Sequence, residues 1–331
     1  MTLKVTIALP TYNRASRFLI PALECALAQD WQNLEIIVSD NCSSDATPDI
    51  VGSYTDPRVR YFRQEENIGA NNNFNFCVEQ AKGDYFLLFP DDDVIDPDMI
   101  SSCMRAAQGS PDFGVIRTGT RLIDADGGLI REIPNYAAGL DYNSFFRAWM
   151  GDRITSYVCS TLFNTQMLRD IGGFQSHHGL YQDLMALASL LARGGHCDVE
   201  ECKASFRRHE ENYGNAESLN AWCEDGVQLA QVISSEAADE QDALYRESMR
   251  YLCKTVYGYA RRFVAPGIER LRAYRLIDAK FEHCYPVRSY YFDRVVRRHL
   301  RSSRNLVRDV AKALILRQDE DDPGPRKAGA E

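Results

Sequence analysis

Three consecutive carboxylates, Asp91, Asp92 and Asp93, follow the apolar run at the start of YFLLFPDDDVIDPD (85–98). Side by side, such groups repel one another unless a cation neutralises them. All-oxygen ligands suit Mn²⁺ or Mg²⁺, and Mg²⁺ is commonly held by one or two carboxylates together with substrate phosphates. The alternative is a solvated turn with an aspartate capping the helix that begins near Pro97. Asp96 and Asp98, just ahead of that helix, read as capping residues. A second carboxylate, Asp183 in YQD (181–183), opens a helical stretch. It is either a proton acceptor or a first-turn acid favoured by the helix dipole.

The elements around these residues form a regular series. KVTIALP (4–10), LEIIVSD (34–40), VRYFRQ (59–64) and YFLLFP (85–90) are short apolar runs rich in β-branched and aromatic side chains, and read as strands. Segments 15–29, 47–54 and 71–81 between them read as helices. Strands alternating with helices predict βαβ units and a mostly parallel sheet, with ligands outside the carboxyl ends of the strands. The polar segments PTYNR, SDNCSSD and PDDD fall at those ends. Beyond them, 114–133 reads as two strands joined by DADGG, 179–195 as a helix closed by Gly194, and 196–212 as a strand running into a polar loop. From Leu219 onward the pattern is helical, broken at Pro266-Gly267 and Tyr285-Pro286. Residues 319–331 are polar and rich in Pro and Gly, a disordered composition.

In that order ALPTYNR, IIVSDNCSSDAT, ENIGANNNFNF, GDYFLLFPDDDVIDPD and GGF…YQD resemble the family-2, inverting glycosyltransferases of the GT-A fold. The resemblance covers roughly residues 3–210 and implies a nucleotide-diphosphate sugar as donor and a glycan or lipid-linked saccharide as acceptor. It implies that Pro10, Thr11, Tyr12 and Arg14 line the nucleotide pocket, with Tyr12 stacking on the base. Asp40 would bond the base, and Asn67 would lie near the nucleotide. Asp91 and Asp92 would reach ribose and metal, Asp92 and Asp93 the metal, and Asp183 would be the general base. His209 in SFRRHEEN would contact diphosphate or metal, with Arg207 or Arg208 offsetting phosphate charge. Two positions depart from the family pattern: Phe74 stands where many relatives have an arginine before Asn75, and Gln182 where a glutamate precedes the base.

The resemblance divides the chain into a catalytic domain at 1–215 (nucleotide side 1–110, acceptor side 111–215), a helical region at 216–318 and the tail 319–331. Within the family it is most like bacterial transferases building O-antigen, capsule or other surface polysaccharides.

A nucleotidyltransferase would want a glycine-rich, basic phosphate loop after the first strand, which PTYNRAS lacks. An inactive sugar-nucleotide-binding scaffold would not need Asp183. His177 and His178 have no third ligand at helpful spacing, so a zinc site is not expected. Trp149 and Tyr157 read equally as acceptor-pocket wall or as core.

The 331 residues are 45% hydrophobic and 26% charged, with net charge −9. That balance argues against nucleic acid as a partner. Between Arg288 and Gln318, however, nine Lys or Arg stand against two acids. Val296, Leu300, Ser303, Val307, Val310 and Leu314 recur there at helical spacing, with Arg297, Arg301, Arg304 and Arg308 largely off that face. A peripheral membrane contact, packing on the chain's own domain, and a homodimer contact are the three readings of 288–318. Ten scattered cysteines, no signal-peptide pattern and no apolar run of about 18 residues give the expectation of a cytoplasmic protein, located if membrane-bound at the inner face.

Overall fold

The structure is a computed structural model describing residues 2–15, 17–209 and 218–292. Among these residues nine strands form one sheet: β1 (Val5–Thr11), β2 (Leu34–Asp40), β3 (Val59–Arg63), β4 (Tyr85–Leu88), β5 (Val94–Ile95), β6 (Val115–Ile123), β7 (Leu129–Ile133), β8 (Thr161–Asn164) and β9 (His196–Arg207). Their order is β3-β2-β1-β4-β8-β6-β9-β5, with β7 beside β6. The nucleotide half, β3-β2-β1-β4, is parallel throughout. Beyond it the sheet is mixed: β8 is antiparallel to both neighbours, whereas β9 runs parallel to β6.

The helices are α1 (Leu19–Leu27), α2 (Thr47–Gly52), α3 (Ala70–Gln80), α4 (Met99–Ala106), α5 (Tyr142–Met150), α6 (Thr165–Asp170), α7 (Gln182–Gly194), α8 (Leu219–Ser235), α9 (Gln241–Phe263) and α10 (Ile268–Lys280). β1 and β2 are buried along their whole length, as expected of parallel strands covered on both faces. Alternation divides their side chains between two cores. Val5, Ile7 and Leu9 pack with α1 and α4, whereas Ala8 faces the core of α3, α5 and α7. This second core continues without a break into Leu229, Leu252 and Ile277, so α8, α9 and α10 share it with the sheet.

Three local expectations change. α7 runs through Gly194, and Gly195, at φ +62°, is the left-handed residue that ends it. Gly114 has a different constraint: an added Cβ would overlap the Leu190 carbonyl where β6 crosses the end of α7. Asp96 and Asp98 do not cap α4 with their side chains. Asp98 occupies the N-cap position without a side-chain cap bond and pairs with Lys203 at 2.6 Å. Asp96 takes both guanidinium nitrogens of Arg121, at 2.9 and 3.0 Å. The β6-β9-β5 pairing places these cations beside them, and a charge-assisted bond outweighs a neutral cap. A further ion pair lies inside the sheet. Arg117, 1% exposed, lies 3.8 Å from Asp198 and over the Phe145 ring, with burial pushing its pKa down to about 10.

The helical residues from 287 lead toward the basic segment, but 293–318 and the tail 319–331 lie outside the described residues. Among the described residues no helix is long and apolar enough to cross a membrane.

Candidate functional site

Parallel β1, β2 and β4 end at one edge of the sheet, and their exit loops carry most of the chemistry-bearing residues. After β1 the chain turns through Asn13, at φ +54°, a conformation Asn tolerates because its side chain can bond locally. Its Oδ1 accepts from Ser44 N–H at 2.8 Å, and its own N–H donates to Ser43 Oγ at 2.9 Å. This ties the β1 loop to the β2 loop and leaves Tyr12 44% exposed, an aromatic face open to a flat ligand. Asp40 is fully buried at the end of β2 and accepts from Ser43 N–H and the Tyr61 hydroxyl, each at 2.7 Å. Asn41 Nδ2 donates to Asn67 Oδ1 at 2.9 Å, and Asn67 Oδ1 also takes Gly69 N–H as α3 begins. Asp40, Asn67, Asn13 and the β1 loop therefore form one hydrogen-bonded rim.

The triple aspartate divides into three environments. Asp91 accepts from Thr11 Oγ1 at 2.7 Å. Burial, opposed by that bond and reinforced by the Asp92 charge, pushes its pKa up to about 7. Asp92 accepts from His209 Nε2 at 2.7 Å, and its backbone carbonyl accepts from Arg207 Nε at 2.7 Å. Asp93 turns inward. One oxygen accepts from Arg207 N–H at 2.9 Å, while the other is buried without a hydrogen-bond partner. Burial and then the Asp92 charge drive its pKa far above the ordinary carboxylate range. The inward turn closes the end of β9 onto the aspartate loop across 114 residues of sequence.

Phe18, at the N-cap of α1 and 5% exposed, is a contributor that sequence reasoning missed. His209 stacks on its ring with centroids 5.3 Å apart. The guanidinium groups of Arg17, Arg14 and Arg207 lie 4.7, 5.5 and 5.8 Å from its centroid. One ring thus gathers three cations and an imidazole beside the aspartates. Tyr157, read as pocket wall or core, stacks on Phe206 at 4.4 Å, one residue before Arg207. Trp149 is core, packed on Tyr251.

Asp183 comes from the other half of the molecule, in the first turn of α7. Burial raises its pKa to about 6, opposed by the backbone N–H groups of Leu184 and Asp183 itself. Among the described residues no hydrogen bond or ion pair joins it to the aspartate loop. Beside it, Gln182 Oε1 and the Tyr181 hydroxyl are buried polar atoms without hydrogen-bond partners. The loop leading to Asp183 is held by Asp225 of α8, fully buried, whose two oxygens accept from His178 N–H and Leu180 N–H, each at 2.9 Å. His178 itself pairs with Glu224 at 2.8 Å, and Tyr181 meets Trp222 edge-on at 5.3 Å. Asn75 clamps the preceding GGF segment: it accepts from Phe174 N–H at 2.8 Å and donates to Phe174 O at 3.0 Å. Phe74, read above as a departure from the family pattern, is partly buried against the same core.

Among the described residues no cluster of three or more His, Cys, Asp and Glu side chains is arranged as a complete metal cage. The donor set fits a divalent cation that a phosphorylated ligand helps to bind. Asp92 and His209 supply an oxygen and a nitrogen together, and Asp91 and Asp93 lie beside them with pKa values raised by burial and by the Asp92 charge.

Comparison with known proteins agrees with this geometry. The model of glycosyl transferase family 2 matches residues 6–160. Succinoglycan biosynthesis protein ExoO of Rhizobium meliloti is 29% identical over 207 residues, 59% of this chain and 58% of that protein. A GalNAc(5)-diNAcBac-PP-undecaprenol beta-1,3-glucosyltransferase of Campylobacter jejuni is 35% identical over 133 residues, 39% of this chain and 41% of that protein. The chain thus spans little more than half the length, or less, of these relatives. In three dimensions it resembles S. aureus TarS 1-349 in complex with UDP-GlcNAc, at TM-score 0.65 and 18% identity, covering 87% of this chain and 83% of that one. The sheet with its flanking helices is therefore a GT-A fold, and residues 6–160 match the glycosyl transferase family 2 model.

Proposed function

We propose that the protein transfers a sugar from a nucleotide-diphosphate donor to a hydroxyl of a saccharide or lipid-linked saccharide, with inversion and with Mn²⁺ or Mg²⁺ as cofactor. The observation that carries this reading is the Asp92–His209 pair, 2.7 Å apart at the strand edge beside the Tyr12–Asp40–Asn67 rim. Relatives support the ligand classes: the TarS structure holds UDP-GlcNAc, and a Pyrobaculum calidifontis mannosyltransferase of TM-score 0.50 holds GDP-Man and Mn²⁺. The C. jejuni relative is named for a saccharide carried on PP-undecaprenol, which supports a lipid-linked acceptor.

In this mechanism Tyr12 and the Asp40–Asn67 rim bind the nucleoside. Asp91 accepts from ribose, and Asp92 with His209 holds the metal; Asp93, turned inward, fixes the loop that presents them. Bound there, the cation would neutralise charge on the departing diphosphate. The arginines on Phe18 add positive charge on the same side. Asp183 takes the proton of the acceptor hydroxyl as its oxygen bonds to the anomeric carbon. The bond from that carbon to the diphosphate oxygen breaks, and its electron pair leaves with the nucleotide. A pKa of about 6 leaves Asp183 ionised at neutral pH yet more basic than a solvated carboxylate, which suits a general base.

The test is calorimetric binding of UDP, GDP, CDP and dTDP to the wild type and Asp92→Ala, each with Mn²⁺ and with EDTA. Metal-dependent binding of one nucleotide, weakened at least tenfold in the variant, is expected. Absence of metal-dependent binding to all four would overturn the proposal.

A further inference from the structure

The inward face of α10 carries Ala273, Tyr274 and Ile277, all buried. Its outward face carries Ile268, Leu271 and Leu276 interleaved with Arg272 and Arg275, and here Ile268 is 60% and Leu271 53% exposed. A helix apolar on both faces needs cover on both, and only one is covered among the described residues. The face extends at either end. Phe263, with Arg262 stacked on it at 4.9 Å, precedes α10 across a short loop. Tyr291, against Tyr274 at 5.9 Å, and Phe292, 69% exposed, follow it. Six of the eleven exposed large hydrophobic side chains among the described residues lie in this stretch. A concentration of this kind marks an interaction surface.

We infer that this face docks on an anionic lipid bilayer. The charge pattern selects that occupant. Arg261, Arg262, Arg270, Arg272, Arg275, Lys280 and Arg288 stand within 261–292 against Glu269, Asp278 and Glu282; Glu269 pairs with Arg272 at 2.8 Å and Asp278 with His283 at 2.6 Å. Two copies packed through this face would set arginine against arginine. The chain's own segment 293–318 meets the same objection, since it too is strongly basic. A bilayer of anionic headgroups offers apolar depth for the Ile, Leu and Phe side chains and countercharge for the arginines, whose stems reach outward as the rings insert. The inference is independent of the reaction proposed above.

The test is co-sedimentation of the full chain with phosphatidylcholine vesicles, with and without phosphatidylglycerol, across a salt series. Variants Ile268→Glu/Leu271→Glu and Arg272→Gln/Arg275→Gln keep the segment beyond 292 intact, and their circular dichroism melts report folding. Binding is expected only to vesicles with phosphatidylglycerol, falling with salt and weakened about tenfold or more in each folded variant. Wild-type binding by the folded variants would overturn the inference, as would absence of binding to anionic vesicles. A concentration-dependent dimer lost in the same variants would assign the face to a second copy instead and equally refute it.

Discussion

Replacing Asp183 by Asn separates the cost of holding a charge in the site from the chemistry that charge performs. Burial raises the Asp183 pKa from 3.8 to about 6. Between those values the folded protein binds a proton that the unfolded chain has released, so stability falls as pH rises through this window. A shift of about two units corresponds to about 3 kcal/mol, lost by pH 7 and retained below pH 4. Asparagine has nearly the same shape, keeps an oxygen for the Leu184 N–H, and carries no charge to desolvate. For a chain of 331 residues the unfolding entropy is roughly 0.7 kcal/mol/K, so 3 kcal/mol is about 4 °C in Tm. Thermal melts without ligand should therefore coincide near pH 4 and diverge through pH 6, with the variant about 4 °C higher at pH 8. Its transfer rate should fall at least ~10²-fold with nucleotide binding retained. A variant no more stable than the wild type at pH 8 would refute the burial argument. Near-normal transfer would remove Asp183 from the mechanism.

Phe18→Leu keeps an apolar group at the start of α1 but removes the face shared by three guanidiniums and His209. At about 0.5–1 kcal/mol per cation–ring contact, metal-dependent nucleotide diphosphate affinity should drop about tenfold with little change in Tm, and calorimetry beside a melt would reveal unchanged affinity if the ring does not organise the cations. Gly114→Ala should lower stability by about 1–3 kcal/mol, because the new Cβ meets the Leu190 carbonyl of α7 rather than a movable side chain; a denaturation midpoint matching the wild type would show that β6 and α7 are free to separate there.

The nucleotide half was legible because its strands are buried on both faces. Apolar runs such as LEIIVSD need no partner to be recognised, and their polar exits mark the ligand edge. The acceptor half gave weaker signals. β5 has two residues and β8 four, and pairing rather than pattern makes them strands. Asp96 and Asp98 read as caps because local sequence cannot show Arg121 and Lys203 arriving from β6 and β9. Phe18 looked like any apolar helix residue, and its function lies in which cations surround it. Asp225, inside an apolar helix pattern, gave no hint that both its oxygens hold the loop before Asp183. The candidate site residues are recognisable singly by type and motif, whereas their supports depend on long-range contacts.

The position of β9 affects how the protein must be made. It is the last strand among the described residues yet lies inside the sheet, parallel to β6 on one side and antiparallel to β5 on the other. A growing polypeptide therefore completes β1 to β4 while the inner edge of β6 and the aspartate loop still lack their partner. Only after residue 207 has emerged can its backbone N–H reach Asp93. Such late, non-local closure is slow and leaves an unpaired edge open to other chains. Shortened nascent chains ending before β9 would thus be prone to aggregate, and the ligand-binding edge would gain its last wall only once residue 207 has emerged.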